Sequence, residues 1–381
     1  MKKISAAALL FSSTAAVADA PNVVTEIAPV YALVAQVMEG VGEPQLLMKQ
    51  GASPHGYSMR PSEARALQDA DLVVWIGEDL TPWLENSVET LAADAVSLEL
   101  LHAPGTEVLA FRETSVFGAD EDHHDDHDGH DDHDEEHHDE HEDDHHDKEH
   151  DDHGHDDRDD HDEHADHKDE HDDHGHEDHD EHDHDAHDED KHDDHDDHDD
   201  HGHDDHHGHD HDGDDPHAWM DVDNAITWVG VIAASLSDLD PANAATYAAN
   251  AEKAADALDH LKHDLEHQLE DYKGAHFVVF HDAYQYFEHM TGLKASGALQ
   301  LSDATPPSAA QLAAVQAEIQ EHNITCVFSE PQFSDALVGS VTNGNVNASE
   351  LDPLGFGLDL GPNLYSDLMK NLANSFESCL K

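Results

Sequence analysis

Positive charge is what this chain lacks most. It has 16 Lys and Arg against 90 Asp and Glu in 381 residues, for a formal net charge of −74 with histidine neutral. Phosphate backbones are held through Lys/Arg footprints, so the balance argues against a nucleic-acid partner. It argues against an anionic membrane surface for the same reason. Long apolar runs are also missing. No stretch reaches the ~20 apolar residues of a spanning helix, so no direct membrane insertion is expected. Cysteine is nearly absent, with only Cys326 and Cys379. A CxxC metal site is thereby excluded. In an exported chain two cysteines most simply close one disulfide, the alternative being two buried free thiols.

One long segment lacks every large apolar residue. Asp120 to Asp215 contains no Leu, Ile, Val, Phe, Tyr, Trp or Met, yet holds 32 of the 42 His and 52 of the 90 acidic residues, with 4 basic ones. Such a composition cannot bury a core and predicts disorder. Imidazole and carboxylate both ligate metals, so the run is either a metal collector or an acidic spacer. The collector reading is preferred, because a spacer needs no histidine. Outside it about 285 residues remain, enough for one large or two ordinary domains.

The first twenty residues read as an export signal. Lys2 and Lys3 give a positive start, Ala6 to Phe11 a short apolar core, and Ala16-Val17-Ala18 and Ala18-Asp19-Ala20 two A-x-A cleavage sites. An exported protein with cleavage near Ala18 or Ala20 is expected, placing it in the periplasm.

From Pro21 to about Leu101, strand and helix patterns alternate. Val23–Ala28, Gln45–Met48, Asp71–Gly77 and Ala95–Leu100 read as strands. Helical spacing covers Val30–Glu39, and Pro61 and Thr81-Pro82 each open a helix. Such alternation predicts a parallel sheet with right-handed crossovers. After the run, Asp223–Leu239 is helical. Pro241 to about Tyr272 predicts one helix of roughly 30 residues, a strut about 45 Å long. Strand and helix signals then return. Phe277–Phe280 and Thr325–Phe328 read as strands, and Ala283–Met290, Ser308–His322 and Tyr365–Cys379 as helices. The expected architecture is α/β: two βα lobes joined by one long helix. The first lobe spans 21–119 and 216–239, the helix 240–273 and the second lobe 274–381, with 120–215 inserted late in the first lobe.

Three of the ten histidines outside the run are expected just beyond the carboxyl end of a strand, where α/β folds place ligands: His55, His217 and His281. A shared site in the cleft between lobes would supply three imidazoles, and a carboxylate or water would complete a four-coordinate zinc. Each alone reads more readily as a hydrogen-bonded loop histidine. His260, His263 and His267 share one face of the long helix and read as a solvated face rather than a surface metal site. His102, His276, His289 and His322 carry no metal signal of their own.

Several motifs carry a family resemblance: Gly51-Ala-Ser-Pro-His-Gly-Tyr-Ser-Met-Arg-Pro61, Ala70-Asp-Leu-Val-Val-Trp-Ile-Gly77, Asp215-Pro-His-Ala-Trp219 and Phe280-His-Asp-Ala-Tyr-Gln-Tyr-Phe287. Cys326-Val-Phe-Ser-Glu-Pro-Gln-Phe333, Leu351-Asp-Pro-Leu-Gly355 and Ser378-Cys-Leu-Lys381 extend them. Across essentially the whole mature chain, insertion included, the sequence resembles the ZnuA type of metal-binding substrate-binding proteins, the zinc receptors of ABC importers. The resemblance implies two lobes on a rigid backbone helix. It implies a metal site at His55, His217 and His281, with Asp352 at the position of the family's aspartate. Some relatives carry Glu just before the first histidine. Here that residue is Pro54, which leaves the fourth ligand open between Asp352 and water. Imidazole at His281, in place of the Glu of manganese-binding relatives, favours zinc. The resemblance also supports a Cys326–Cys379 disulfide, and Glu330 and Asp282 are candidates to orient the imidazoles.

The expected role is capture of Zn²⁺ as transported ligand and its delivery to a membrane permease by a monomeric, non-enzymatic receptor. The run would act as an auxiliary collector or sensor. A zinc hydrolase competes poorly: neither H-E-x-x-H nor G-x-S-x-G occurs, and only Asp303 or Glu330 offers a base. A passive zinc store is the third reading, separated from a receptor by having many weak sites and no tight one.

Overall fold

Leu72–Trp75 is apolar on both faces because both faces are covered, and its four residues are all buried. It belongs to one of two four-stranded parallel sheets in a computed structural model that describes residues 20–117, 213–302, 304–342 and 346–381. The first sheet contains β1 (Val23–Thr25), β2 (Gln45–Leu46), β3 (Leu72–Trp75) and β4 (Val96–Glu99), in the order β2-β1-β3-β4. The second contains β5 (Phe277–His281), β6 (Gly297–Gln300), β7 (Cys326–Ser329) and β8 (Asn347–Glu350), in the order β6-β5-β7-β8. Both are α/β sheets with the same doubly wound order, so each reverses direction of growth at one point, between β1 and β3 or between β5 and β7. Ligands in such folds bind beyond the carboxyl ends of strands at that reversal.

The helices begin where the sequence carries start signals. Proline opens α2 (Pro61–Gln68) and α3 (Pro82–Leu91) and stands second in α1 (Ala28–Val37). Asp221 caps α4 (Val222–Leu239) by accepting from Asp223 N at 2.7 Å. Ser308 and Gln311 cap α7 (Ala309–Glu321) reciprocally, and left-handed Gly292 ends α6 (Gln285–Thr291).

The long helix α5 (Ala244–Leu269) has 26 residues, so it is roughly 39 Å long, and a short 3₁₀ turn follows it. It starts three residues later than proline placement suggests. The Asp240 carboxylate accepts from Asn243 Nδ2 and the Tyr247 hydroxyl, and it folds Pro241–Asn243 into a turn first. Three elements carry no sequence signal: β6, α8 (Asp335–Thr342) and β8. β8 is the edge strand Asn-Ala-Ser-Glu, polar and mostly exposed, and it is a strand because β7 offers it a backbone ladder.

Each sheet has a private core on one face. Val73, Trp75, Leu84 and Val88 form one of these, and Val278, Leu299, Val315 and Val327 the other. The opposite faces share a single continuous core, built by α1, α4, α5, α6 and α9 (Leu364–Leu380) and including Leu33, Trp228, Leu258, Phe277, Tyr365 and Phe376. The two lobes are therefore welded by apolar packing rather than joined by a bare hinge. A disulfide between Cys326 at the start of β7 and Cys379 in α9 fastens the last helix to the second sheet, with Cα atoms 5.7 Å apart.

Candidate metal centre

One strand end and two loops present three imidazoles to one notch. His281 is the last residue of β5, at the reversal of the second sheet. His217 immediately precedes a 3₁₀ turn, Ala218–Met220, that leads into α4. His55 lies in the loop after β2, held by a hydrogen bond from Trp83 Nε1 to Pro54 O of 2.7 Å. Trp219 Nε1 donates to Pro353 O at 2.9 Å, tying the His217 turn to the loop after β8. The notch is lined by these three histidines together with Pro54, Trp219, Gln332, Pro353 and Leu354.

Ring spacing identifies what the notch fits. The centres of His55 and His217 are 5.7 Å apart, and those of His217 and His281 are 5.4 Å apart. Two imidazoles on a tetrahedral zinc, each with its nitrogen at 2.0–2.1 Å, have ring centres about 5 Å apart. The observed spacings approach that geometry, at angles of 57° and 64° that exclude parallel stacking.

Buried carboxylates set two of the rings. His217 Nδ1 meets Asp215 Oδ1 at 2.7 Å, and His281 Nδ1 meets Glu330 Oε1 at 2.6 Å. The same oxygens accept from the backbone N of His217 and of His281. A carboxylate on Nδ1 fixes the proton there and leaves Nε2 as the lone-pair donor. Asp215 and Glu330 are each only 1 % exposed. Burial pushes the Asp215 carboxyl up to about 7, opposed by the His217 backbone N–H and the Arg112 charge. Arg112 supplies the counter-charge of this region. It bonds Asp282 Oδ1 at 2.9 Å and Glu288 Oε2 at 2.8 Å and lies over the Phe117 ring. Burial also raises Asp282 to about 7, with Arg112 opposing.

The family model ZnuA, zinc-uptake complex component A, periplasmic, matches residues 23–379. The high-affinity zinc uptake system protein ZnuA of Paracoccus denitrificans is 40 % identical over 377 residues, covering 98 % of this chain and 96 % of that protein. The chain belongs to the ZnuA family.

The protein of the same name from Brucella abortus is 35 % identical over 371 residues, covering 97 % of this chain and 95 % of that protein. Among solved structures, a crystal structure of ZnuA matches with a TM-score of 0.62 at 18 % identity, covering 95 % of this chain and all of that one. The laminin-binding adhesin Lmb of Streptococcus agalactiae matches with the same TM-score at 17 % identity, also covering 95 % of this chain and all of the other. Those structural likenesses establish the fold.

Within this family frame, the residues singled out from sequence divide clearly. His55, His217 and His281 come together, and Glu330 lies beneath His281 as an orienting carboxylate. Asp282 does not contact an imidazole through its carboxylate, which turns to Arg112 instead. Asp352 is not among the notch-lining residues, and its Oδ1 accepts from Leu354 N at 3.1 Å and Gly355 N at 2.9 Å. It thereby shapes the turn that sets Pro353 and Leu354 in the wall. His260, His263 and His267 lie on the exposed face of α5.

Composition assigns Asp215 to the histidine-rich run, and the structure corrects this. Asp215 N donates to Leu109 O at 2.7 Å, and Asp214 bridges to Ala110, so the fold resumes before residue 216. The Asp-Pro-His spacing was the available signal, since a carboxylate two residues before a histidine reaches its Nδ1. Gln332 and Arg112 were also missed, as neither belongs to a ligand set. The signal segment and nearly all of the histidine-rich run lie outside the described residues, as does Asp303.

Proposed function

We propose that this protein is a periplasmic receptor that captures Zn²⁺ and delivers it to the permease of an ABC importer. The carrying observation is the convergence of His55, His217 and His281 with two of the rings locked by buried carboxylates. Zinc is the cargo, and it exchanges water for neutral imidazole nitrogens. His217 and His281 present Nε2 without needing to reorient, so little side-chain entropy is lost on binding. Asp352 or a water takes the fourth position. Three imidazoles select a borderline cation over hard ones such as Mg²⁺ and Ca²⁺. Protonated imidazole cannot ligate, so capture weakens as pH falls through about 6.5.

Binding rather than catalysis is favoured by the same contacts. Hydrolysis needs a free base beside a metal-bound water. Glu330 instead directs Oε1 to His281, and its exposure is 1 %. Residues 1–20 serve as the export signal, and the acidic histidine-rich run serves as an auxiliary zinc collector or sensor. The direct test is zinc uptake by zinc-starved cells whose own receptor gene is deleted. The wild-type chain restores uptake and His281→Ala does not. Equal restoration by both would overturn this reading.

A further inference from the structure

We propose that Glu107, Asp221 and His289 form a second divalent-cation site, outside the notch, that takes a zinc-like ion and ties the first lobe to the second. One donor atom from each residue lies within 4.8 Å of the other two. Glu107 comes from the segment after β4, Asp221 from the cap of α4 and His289 from α6.

The Glu107 backbone and the Asp221 side chain are both anchored at the start of α4. The side-chain amide of Asn224, in the first turn of α4, accepts from Glu107 N at 2.7 Å and donates to Glu107 O at 3.0 Å. The Glu107 main chain is therefore fixed to the same helix end that Asp221 caps, while its side chain is half exposed. Asp221 is only 3 % exposed, which distinguishes this group from an ordinary acidic surface patch.

One separation suits a bridging cation better than a shared proton. His289 Nδ1 is 3.4 Å from Glu107 Oε1. A charge-assisted hydrogen bond would be about 2.7–2.9 Å. Two donors each about 2.1 Å from a tetrahedral ion lie about 3.4 Å apart. Charge points the same way. Among the described residues no Lys or Arg pairs with Glu107 or Asp221, while Lys262 is bound to Asp223. Burial raises the Asp221 carboxyl, opposed by the Asp223 backbone N–H; the Asp223 and Glu107 carboxylates raise it further and the Lys262 charge lowers it. One lysine faces three carboxylates here, and a divalent ion would offset the negative charge that remains.

Two oxygens and one imidazole nitrogen fit zinc and its first-row neighbours rather than calcium or magnesium. Water fills the remaining position, so the site is weaker than the notch. Its consequence is mechanical. His289 lies on the helix that follows β5, whose last residue is His281, so an ion here stiffens the mounting of a notch ligand. The assignment stands on its own residues, whatever the notch binds.

Zinc-edge anomalous scattering from zinc-soaked crystals of the full chain tests it. The expected map has a peak among Glu107, Asp221 and His289, which His289→Ala removes while any peak in the notch persists. In solution, diethylpyrocarbonate modification of His289, read by peptide mass spectrometry, should slow about tenfold with saturating ZnCl₂. The double variant E107Q/D221N should show less than about twofold protection, and Asn at 221 keeps the helix cap. No peak at the triad, a peak that survives His289→Ala, or no zinc protection of His289 in the wild-type chain would each overturn the proposal.

Discussion

A carboxylate behind an imidazole does more for metal capture than its distance from the metal suggests. Asp215 and Glu330 each fix a tautomer and a ring plane, and partners of this kind typically contribute 10–100-fold to affinity. Asp215→Asn and Glu330→Gln are therefore each expected to weaken zinc binding by roughly that factor. Chelator-competition titration measures it, and an unchanged affinity in both variants would remove the orienting role. The three histidines were legible because each stands in a motif of its own outside the histidine-rich run: Ser-Pro-His-Gly, Asp-Pro-His-Ala and Phe-His-Asp-Ala. Asp215 was not legible by composition, since it ends a segment of nearly identical residues and only its packing against Leu109 and His217 sets it apart.

Glu26 offers a second residue-scale prediction. It follows β1 and is fully buried, where Ile76 N and the Thr81 hydroxyl donate to its carboxyl group. Burial raises it from 4.5 to about 8, against the lowering effect of those hydrogen bonds. Between these values the folded state holds a proton that the unfolded state releases. Stability is therefore lost as pH rises from about 4.5 to about 8 and is flat with respect to this group above that. Glu26→Gln should remove this part of the slope, worth on the order of 5 kcal/mol. Urea unfolding of both proteins at pH 5 and pH 8 measures it, and equal slopes would contradict it.

At the scale of elements, the Cys326–Cys379 bond closes a loop with a sequence separation of 53. In the chain-entropy model that contributes about 4 kcal/mol. Replacing both cysteines with serine should lower Tm by roughly 5–10 °C. Zinc affinity should change little, because Cys326 is at the opposite end of β7 from Glu330. Calorimetric melting with a parallel zinc titration separates the two effects. Elements with proline starts, capping residues or continuous apolar runs were legible in sequence. β6, α8 and β8 were not. Gly-Ala-Leu-Gln and Asn-Ala-Ser-Glu hold no period of their own, and their conformation is imposed by β5 and β7. The start of α5 shifted because a side-chain network at Asp240 outcompeted the helix-opening preference of Pro241.

At the scale of the whole molecule, the alternation of apolar segments announced two βα lobes, but not that one core runs through both. That core includes residues from both sheets and from the helices between them, so lobe displacement requires unpacking buried apolar surface. The histidine-rich run stands apart from it by composition, with no large apolar side chain to contribute. Because Asp215 belongs to the folded part, an informative deletion must end before it. Removing residues 120–212 leaves every notch residue and both orienting carboxylates in place. The most direct test of the central claim is a chelator-competed zinc titration of that deleted chain. The expected result is one tightly bound zinc per chain, lost on replacing His217 with alanine. Absence of any tight site in the deleted chain would contradict the account, because the metal chemistry would then reside in the run alone.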